Sequence, residues 1–272
     1  MSGRLLKKNR LQPNKSDYWL FPKIEDWKAF AVRVTLICNL IIEAIAGINP
    51  RRHLISVDEK TGIQALERVE GIAPKSKGLK QLQDYEYTRH GTTCLIGATN
   101  VANGDIPNYM LNETRTETDF LKFIIQTVNC FPKEDEVILL ADQLNIHKSE
   151  SLVKWIAEQI GFQGDLGKKG CKGILKNMKT RQAFLEKQEH RIRFVFTPKH
   201  CSWLNPIENW FAKLQRHAIT HGNFSSVNEL VVHIEAYIDF YKRCLMKPLK
   251  WKFRGFFKAK KLKNINCKEF NS

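Results

Sequence analysis

Thr197-Pro-Lys-His-Cys-Ser-Trp-Leu-Asn-Pro-Ile-Glu-Asn-Trp-Phe211 sets a carboxylate into the first turn of a helix. Asn205 is a favourable N-cap, Pro206 suits the first helical position, and Glu208 falls at the third. Ile207, Trp210, Phe211 and Leu214 follow at spacings of three, four and seven, an apolar stripe that needs a surface to pack on. Glu208 lies beside that stripe, where the helix dipole favours negative charge. Two readings of it stand: a capping-box side chain reaching back to the Asn205 backbone, or a carboxylate presented for chemistry. Its company favours the second, because two aspartates upstream each follow an apolar run.

The first is Asp58, delivered at the end of a short strand over 53–58 that carries Leu54, Ile55 and Val57. The second is Asp142, directly after Val137-Ile-Leu-Leu-Ala141. A continuous apolar run of that length is the pattern of a strand covered on both faces in a parallel section of sheet. A charged residue just beyond such a strand stands where α/β sheets present their chemistry; a turn-forming aspartate is the alternative.

Working outward, the spacing of Phe30, Val34, Ile37, Ile41 and Ile45 predicts a long helix from Asp26, stopped by Gly47, Asn49 and Pro50. Strands are expected over 61–69 and 85–101, with a turn at Asn103-Gly104, so that an antiparallel meander follows the first strand. Helices are expected over 116–130, from Ser149 to Gly161, and over 225–243, with a further strand over 191–196. Between 161 and 173 a glycine recurs at every third position, with Lys168, Lys169 and Lys172 between, which reads as a flexible basic loop. Lys176, Lys179 and Arg181 continue it into an amphipathic helix with Ile174, Met178, Phe184 and Leu185 inward.

The chain of 272 residues carries a formal net charge of +16, which points to a polyanionic partner, nucleic acid first. Its most apolar stretch, 31–48, is interrupted by Arg33, Asn39 and Glu43 and reads as a helix outside the membrane. Seven cysteines without a Cys-x-x-Cys pair argue against a disulfide framework and a zinc ribbon, so a cytoplasmic, DNA-associated protein is expected. Ten Lys and Arg and no acid lie between Lys242 and Lys263, with Trp251, Phe253, Phe256 and Phe257 interleaved, a nucleic-acid footprint.

Three segments carry a family likeness. Val57-Asp-Glu-Lys-Thr-Gly-Ile-Gln-Ala-Leu-Glu-Arg68, Ala141-Asp-Gln-Leu-Asn-Ile-His-Lys-Ser149 and Ser202-Trp-Leu-Asn-Pro-Ile-Glu-Asn-Trp-Phe211 resemble the three acidic motifs of DDE transposases, in the bacterial insertion-sequence branch related to mariner elements. Tyr87-Thr-Arg-His-Gly-Thr92 and Arg115-Thr-Glu-Thr-Asp-Phe120 are similar to that branch too, so the likeness runs from about Lys7 to Arg243. Relatives carry helix-turn-helix units before the catalytic domain, and no such unit is read in this sequence. Between Asp142 and Glu208 lie 65 residues; without 163–190, 37 remain, close to the family's usual gap, so the glycine-lysine segment reads as an insertion.

The resemblance implies an α/β, ribonuclease-H-like mixed sheet, an antiparallel meander then parallel strands, flanked by helices. It implies that Asp58, Asp142 and Glu208 hold Mg²⁺ or Mn²⁺, two ions in all, and cleave DNA at transposon ends before strand transfer. The expected organisation is a basic entry segment and linker helix over 1–50 and a catalytic domain over 51–222 with a basic insertion over 161–191. A helix and basic aromatic tail over 223–272 complete it. Lys168, Lys169, Lys172, Lys176, Lys199, Trp251 and Arg254 are the expected DNA contacts, and a homodimer the expected assembly. His147 and His200 lie close to the motifs without an assigned catalytic role. The competing reading is a truncated or domesticated remnant that binds nucleic acid without cutting it.

Overall fold

Hydrophobic alternation builds the sheet. In a computed structural model that describes residues 24–68 and 86–257, β1 (Arg52–Arg68), β2 (Tyr87–Asn100) and β3 (Asn108–Asn112) form an antiparallel meander. After a first helix, α1 (Trp27–Ile45), and the meander, α2 (Glu117–Val128) leads to β4 (Glu136–Ala141), which lies parallel to β1, and β5 (Ile192–Phe196) lies parallel to β4. The order across the sheet is β3-β2-β1-β4-β5. The expected basic N-terminal segment and the end of the basic tail fall outside the described residues.

Helices cover both faces. α2, α3 (Glu150–Gln159) and α4 (Met178–Leu185) pack on one, against Ile55, Val57, Ile96, Val137, Leu139 and Phe194. The other takes α1 (Trp27–Ile45) over Leu54, Ile138 and Leu140, and α5 (Ile207–Leu214) with α6 (Val227–Phe240) over Ile63 and Leu95. The helix starts follow local chemistry: Asp26, Thr116, Ser149 and Ser226 each accept a backbone N–H from the first turn of α1, α2, α3 and α6. Burying Ile207, Trp210, Phe211 and Leu214 of α5 contributes roughly 1.5–3 kcal/mol for each large side chain.

Three expectations change. The strands read over 53–58 and 61–69 are one, so Asp58 sits within β1, opposite Gly97, rather than at a strand end. The break that separated them in the sequence is a bulge between Lys60 and Ile63, where Gly62 has φ +65°. The extra residues change the parity of the strand, which is why even-numbered Ser56 and Asp58 share a face with odd-numbered Ile63 and Ala65. The meander closes with β3, which weak alternation in Asn-Tyr-Met-Leu-Asn concealed. Finally, the glycine-lysine segment stays outside the sheet as expected but is tied down. Lys168 and Lys172 bridge, Leu175 N–H donates to the Leu166 carbonyl at 2.9 Å, and Leu175 joins the main core beside Phe184 and Leu185, which point inward as expected, whereas Met178, expected inward, is exposed.

Candidate active site

Register brings the two aspartates together. β1 and β4 pair Leu54 with Ile138 and Ser56 with Leu140, and one further period of two along both strands reaches Asp58 and Asp142. The Asp58 side chain leaves the sheet on the face where α5 begins, held there by Asn205. Gly97, beside Asp58 on β2, lets α5 approach: a Cβ there would lie 3.2 Å from Ile207 Cδ1.

Asn205 does not cap α5. Its backbone is extended, Pro206 precedes the helix without a side-chain cap, and no capping box forms with Glu208. The Asn205 amide turns instead to β1, where its Nδ2 donates to Asp58 Oδ2 at 3.0 Å and to the Val57 carbonyl at 3.1 Å, and its Oδ1 accepts from Ser56 Oγ. The Ser56 hydroxyl in turn accepts the Ile207 N–H at 2.9 Å. A buried strand serine thus takes the capping role, because Asn205 gains more partners at the sheet than at the helix.

Asp142 has a different support. Its Oδ1 accepts from Leu144 N–H at 2.9 Å and lies 2.9 Å from His147 Nδ1. His147 is fully buried, stacks near Phe120 with centroids 4.3 Å apart, and places Nε2 2.9 Å from Glu59 Oε1. Arg115 reaches the other Glu59 oxygen at 3.4 Å. Arg115, Glu59, His147 and Asp142 therefore form a chain of alternating charge behind the second aspartate.

The electrostatics follow from this packing. Burial pushes the Asp58 carboxyl up to about 7, with the Asp142 charge adding to it. Burial raises Glu208 as well, partly offset by the Lys60 charge and reinforced by Asp142. Asp142 goes the other way: burial would raise it, but the hydrogen bond and charge of His147 hold it below the usual carboxylate range. For His147, burial would lower the pKa, and its bonds to Asp142 and Glu59 override that and lift it to about 9. Negative charge is crowded here with too little compensation at Asp58 and Glu208, the condition a divalent cation relieves, and oxygen-only donors suit Mg²⁺ or Mn²⁺.

The three carboxylates share one electrostatic neighbourhood with Asp142 at its centre, yet among the described residues no three His, Cys, Asp or Glu side chains converge to ligating distance. Like charges repel, and two of the acids are held by a direct partner, Asp58 by Asn205 and Asp142 by His147, while Glu208 feels only the longer-range charge of Lys60.

Residues 53–231 match the model of the DDE superfamily endonucleases. The chain belongs to that family. No curated protein matches it. Among solved structures, this DDE endonuclease is similar to the Mos1 mariner paired end complex with Mn, at 16% identity and a TM-score of 0.53 over 89% of this chain and 64% of that one. It is similar also to the Mos1 strand transfer complex, at 14% identity and a TM-score of 0.53, covering 89% and 61%. A Mos1 transposase paired-end complex with left transposon end gives 15% and 0.51, covering 89% and 64%. At such identities the likeness shows the fold, ribonuclease-H-like, as the sequence led one to expect. The chain spans about three fifths of the length of those Mos1 chains.

The expected DNA contacts of this endonuclease have varied settings. Lys168, Lys169, Lys172, Lys176, Lys199 and Arg254 are exposed. Lys172 lies 3.5 Å from Asp165 and Lys169 lies 4.0 Å from Glu150. Trp251 packs instead against the cluster of Val34, Ile37, Cys38 and Ile41, and Phe256 meets Trp27 with centroids 5.1 Å apart. The aromatics of the described tail engage α1 because Thr35 Oγ1 accepts the Phe256 and Phe257 N–H groups and docks the segment there. Arg181 is also committed within the protein, donating to the Leu175 and Lys148 carbonyls at 3.2 Å. Glu59, Asn205 and Arg115 escaped sequence reasoning as site residues. Glu59 adjoins Asp58 and Asn205 lies three before Glu208, but nothing local shows where those side chains turn. Among the described residues no helix is long and apolar enough to cross a membrane.

Proposed function

We propose that this chain cleaves DNA phosphodiesters in a divalent-metal-dependent reaction at transposon ends and transfers the freed strand, as a transposase. The observation that carries the reading is that the Asp142 charge acts on both Asp58 and Glu208 in a DDE endonuclease domain, with Asp58 raised to about 7 by burial and by Asp142. Acidic charges that act on one another, one of them the buried Asp58, are costly to a fold. A protein that only coats DNA has no use for them, which supports the enzyme over the binding remnant.

In this reading Asp58, Asp142 and Glu208 would hold two Mg²⁺ or Mn²⁺ ions, and the chemistry these would supply when bound is activation of a water or 3′-hydroxyl and stabilisation of the leaving oxygen in an in-line displacement. The chain's own residues set up the geometry. Asn205 fixes one Asp58 oxygen and leaves the Glu59 N–H on the other. His147, braced by Glu59, holds the Asp142 carboxylate in one orientation. DNA is the partner, and pairing of two ends by two copies of the chain belongs to the same reading.

Full-length protein should nick supercoiled plasmid or a duplex carrying the element's end with Mg²⁺ or Mn²⁺ and stop when EDTA is added. No nicking with either ion, or nicking indifferent to EDTA, would sink the proposal.

The exposed lysines of 161–191 hold the DNA backbone beside the site, together with Lys199 and Arg254. Replacing Lys168, Lys169, Lys172 and Lys176 with Ala should flatten the dependence of log affinity on log salt by up to about 0.9 for each phosphate no longer neutralised. Thermal stability should stay nearly unchanged, since these side chains make only exposed pairs. An unaltered salt slope would show that the segment does not touch DNA.

A further inference from the structure

Two interruptions of regular structure meet at one cleft. β1 is bulged between Lys60 and Ile63, and α5 runs on into a π-helical turn over Gln215–Ile219. Bulges and π-turns re-aim side chains and concentrate at working sites. Between them lies a cleft of about 290 Å³, lined by Lys60, Gln64, Arg68, Gln215, Thr220 and Phe224. Lys60 stands at the end nearest the carboxylates, within reach of the Glu208 charge. Among the described residues neither the Lys60 ammonium nor the Gln64 amide has a hydrogen bond or ion pair within the chain. Arg68 is steadied by the Gly222 carbonyl at 3.1 Å, and the backbone of 222–224 closes the far end through the Phe224 N–H to the Leu66 carbonyl at 2.9 Å.

We propose that this cleft receives one unpaired nucleotide of the DNA strand held at the carboxylates, with phosphate on Lys60 and the base edge on Gln64 and Gln215. The proposal rests on reading the carboxylates as a DNA-cleaving site. The volume is at the small end of the range for small-ligand clefts, roughly 300–1,000 Å³, enough for one nucleotide and too little for a duplex. A Lys60 ammonium without a hydrogen bond or ion pair among the described residues calls for an anion. Amides that both donate and accept match a base edge, and the aliphatic and aromatic lining around Phe224 suits its flat faces. A base in a duplex is stacked and paired, so the occupant is a nucleotide at a strand end or one swung out of the stack.

The test uses the full chain in EDTA, with dAMP and inorganic phosphate as separate probes followed by amide NMR. dAMP should shift the amides of Gly62, Gln64, Gln215 and Thr220, while phosphate at the same concentration should leave Gln64 and Gln215 in place. Ile219→Trp, which fills the cleft, should cancel the dAMP shifts and weaken a five-nucleotide single strand about 10-fold, with duplex binding changed less than about 2-fold. Gln64→Trp, on a half-buried strand position, repeats the test should Ile219→Trp not fold. The absence of dAMP shifts, identical shifts with phosphate alone, or wild-type oligonucleotide affinity in the folded variants would each overturn the proposal. Intact nicking without dAMP binding removes the cleft alone; dAMP binding without nicking removes the cleavage reading alone.

Discussion

Asp58→Asn, Asp142→Asn and Glu208→Gln are each expected to lower Mg²⁺- or Mn²⁺-dependent nicking by ~10³-fold or more, about 4 kcal/mol of barrier at 1.36 kcal/mol per decade. Each substitution keeps size and shape and removes one negative charge, so the loss reports on the charge. Asp142 should be the most sensitive, because it alone is felt by both of the others. Asp142→Asn also takes the anion from His147 Nδ1, leaving the buried ring with Glu59 alone. Circular dichroism should be unchanged in all three. A variant that keeps a tenth or more of wild-type nicking would remove its residue from the site.

Metal-free protein should lose stability as pH rises from about 4 to about 9. The Asp58 carboxyl titrates near 7 in the fold against an ordinary 3.8, so the folded state holds a proton that the unfolded state has released. Stability therefore falls with pH across that interval and levels off above it, by roughly 4 kcal/mol as an upper bound. Glu208, also raised, acts in the same direction above its ordinary 4.5. His147 extends the decline: protonated and paired in the fold to about 9 against 6.5, it contributes stability present below 6.5 and lost as pH climbs through 9. Asp142, depressed, contributes stability present above 3.8 and lost only as pH falls further. Denaturant unfolding in EDTA at pH 5, 7 and 9 measures the trend. Asp58→Asn should flatten the lower half, and millimolar Mg²⁺ or Mn²⁺ should restore stability at pH 8 by mass action. A profile that is flat or rises with pH in the wild type would contradict the crowding of charge at this site.

The order of elements was legible because it rests on local periodicity. Val137-Ile-Leu-Leu-Ala141 announced a buried parallel strand with Asp142 beyond it, and Ile207, Trp210, Phe211 and Leu214 announced α5 with Glu208 in its first turn. Thr116 and Ser149 marked helix starts through bonds only three residues long, and the start expected at Ser225 falls one residue on, where Ser226 caps α6. Asn205 had the same local credentials and went elsewhere. Its partner Asp58 is 147 residues away, and the bond to it exists only once α5 has docked on β1. The same holds for the Glu59–His147 contact, which spans 88 residues, and for Leu175, whose place in the main core the neighbouring glycines and lysines concealed. Sequence determined which residues carry charge and which stripes need burial, because helix and strand periods repeat within a few residues. Tertiary structure alone decided which groups each carboxylate leans on, because a buried polar atom takes whatever partner the packed fold brings within 3 Å.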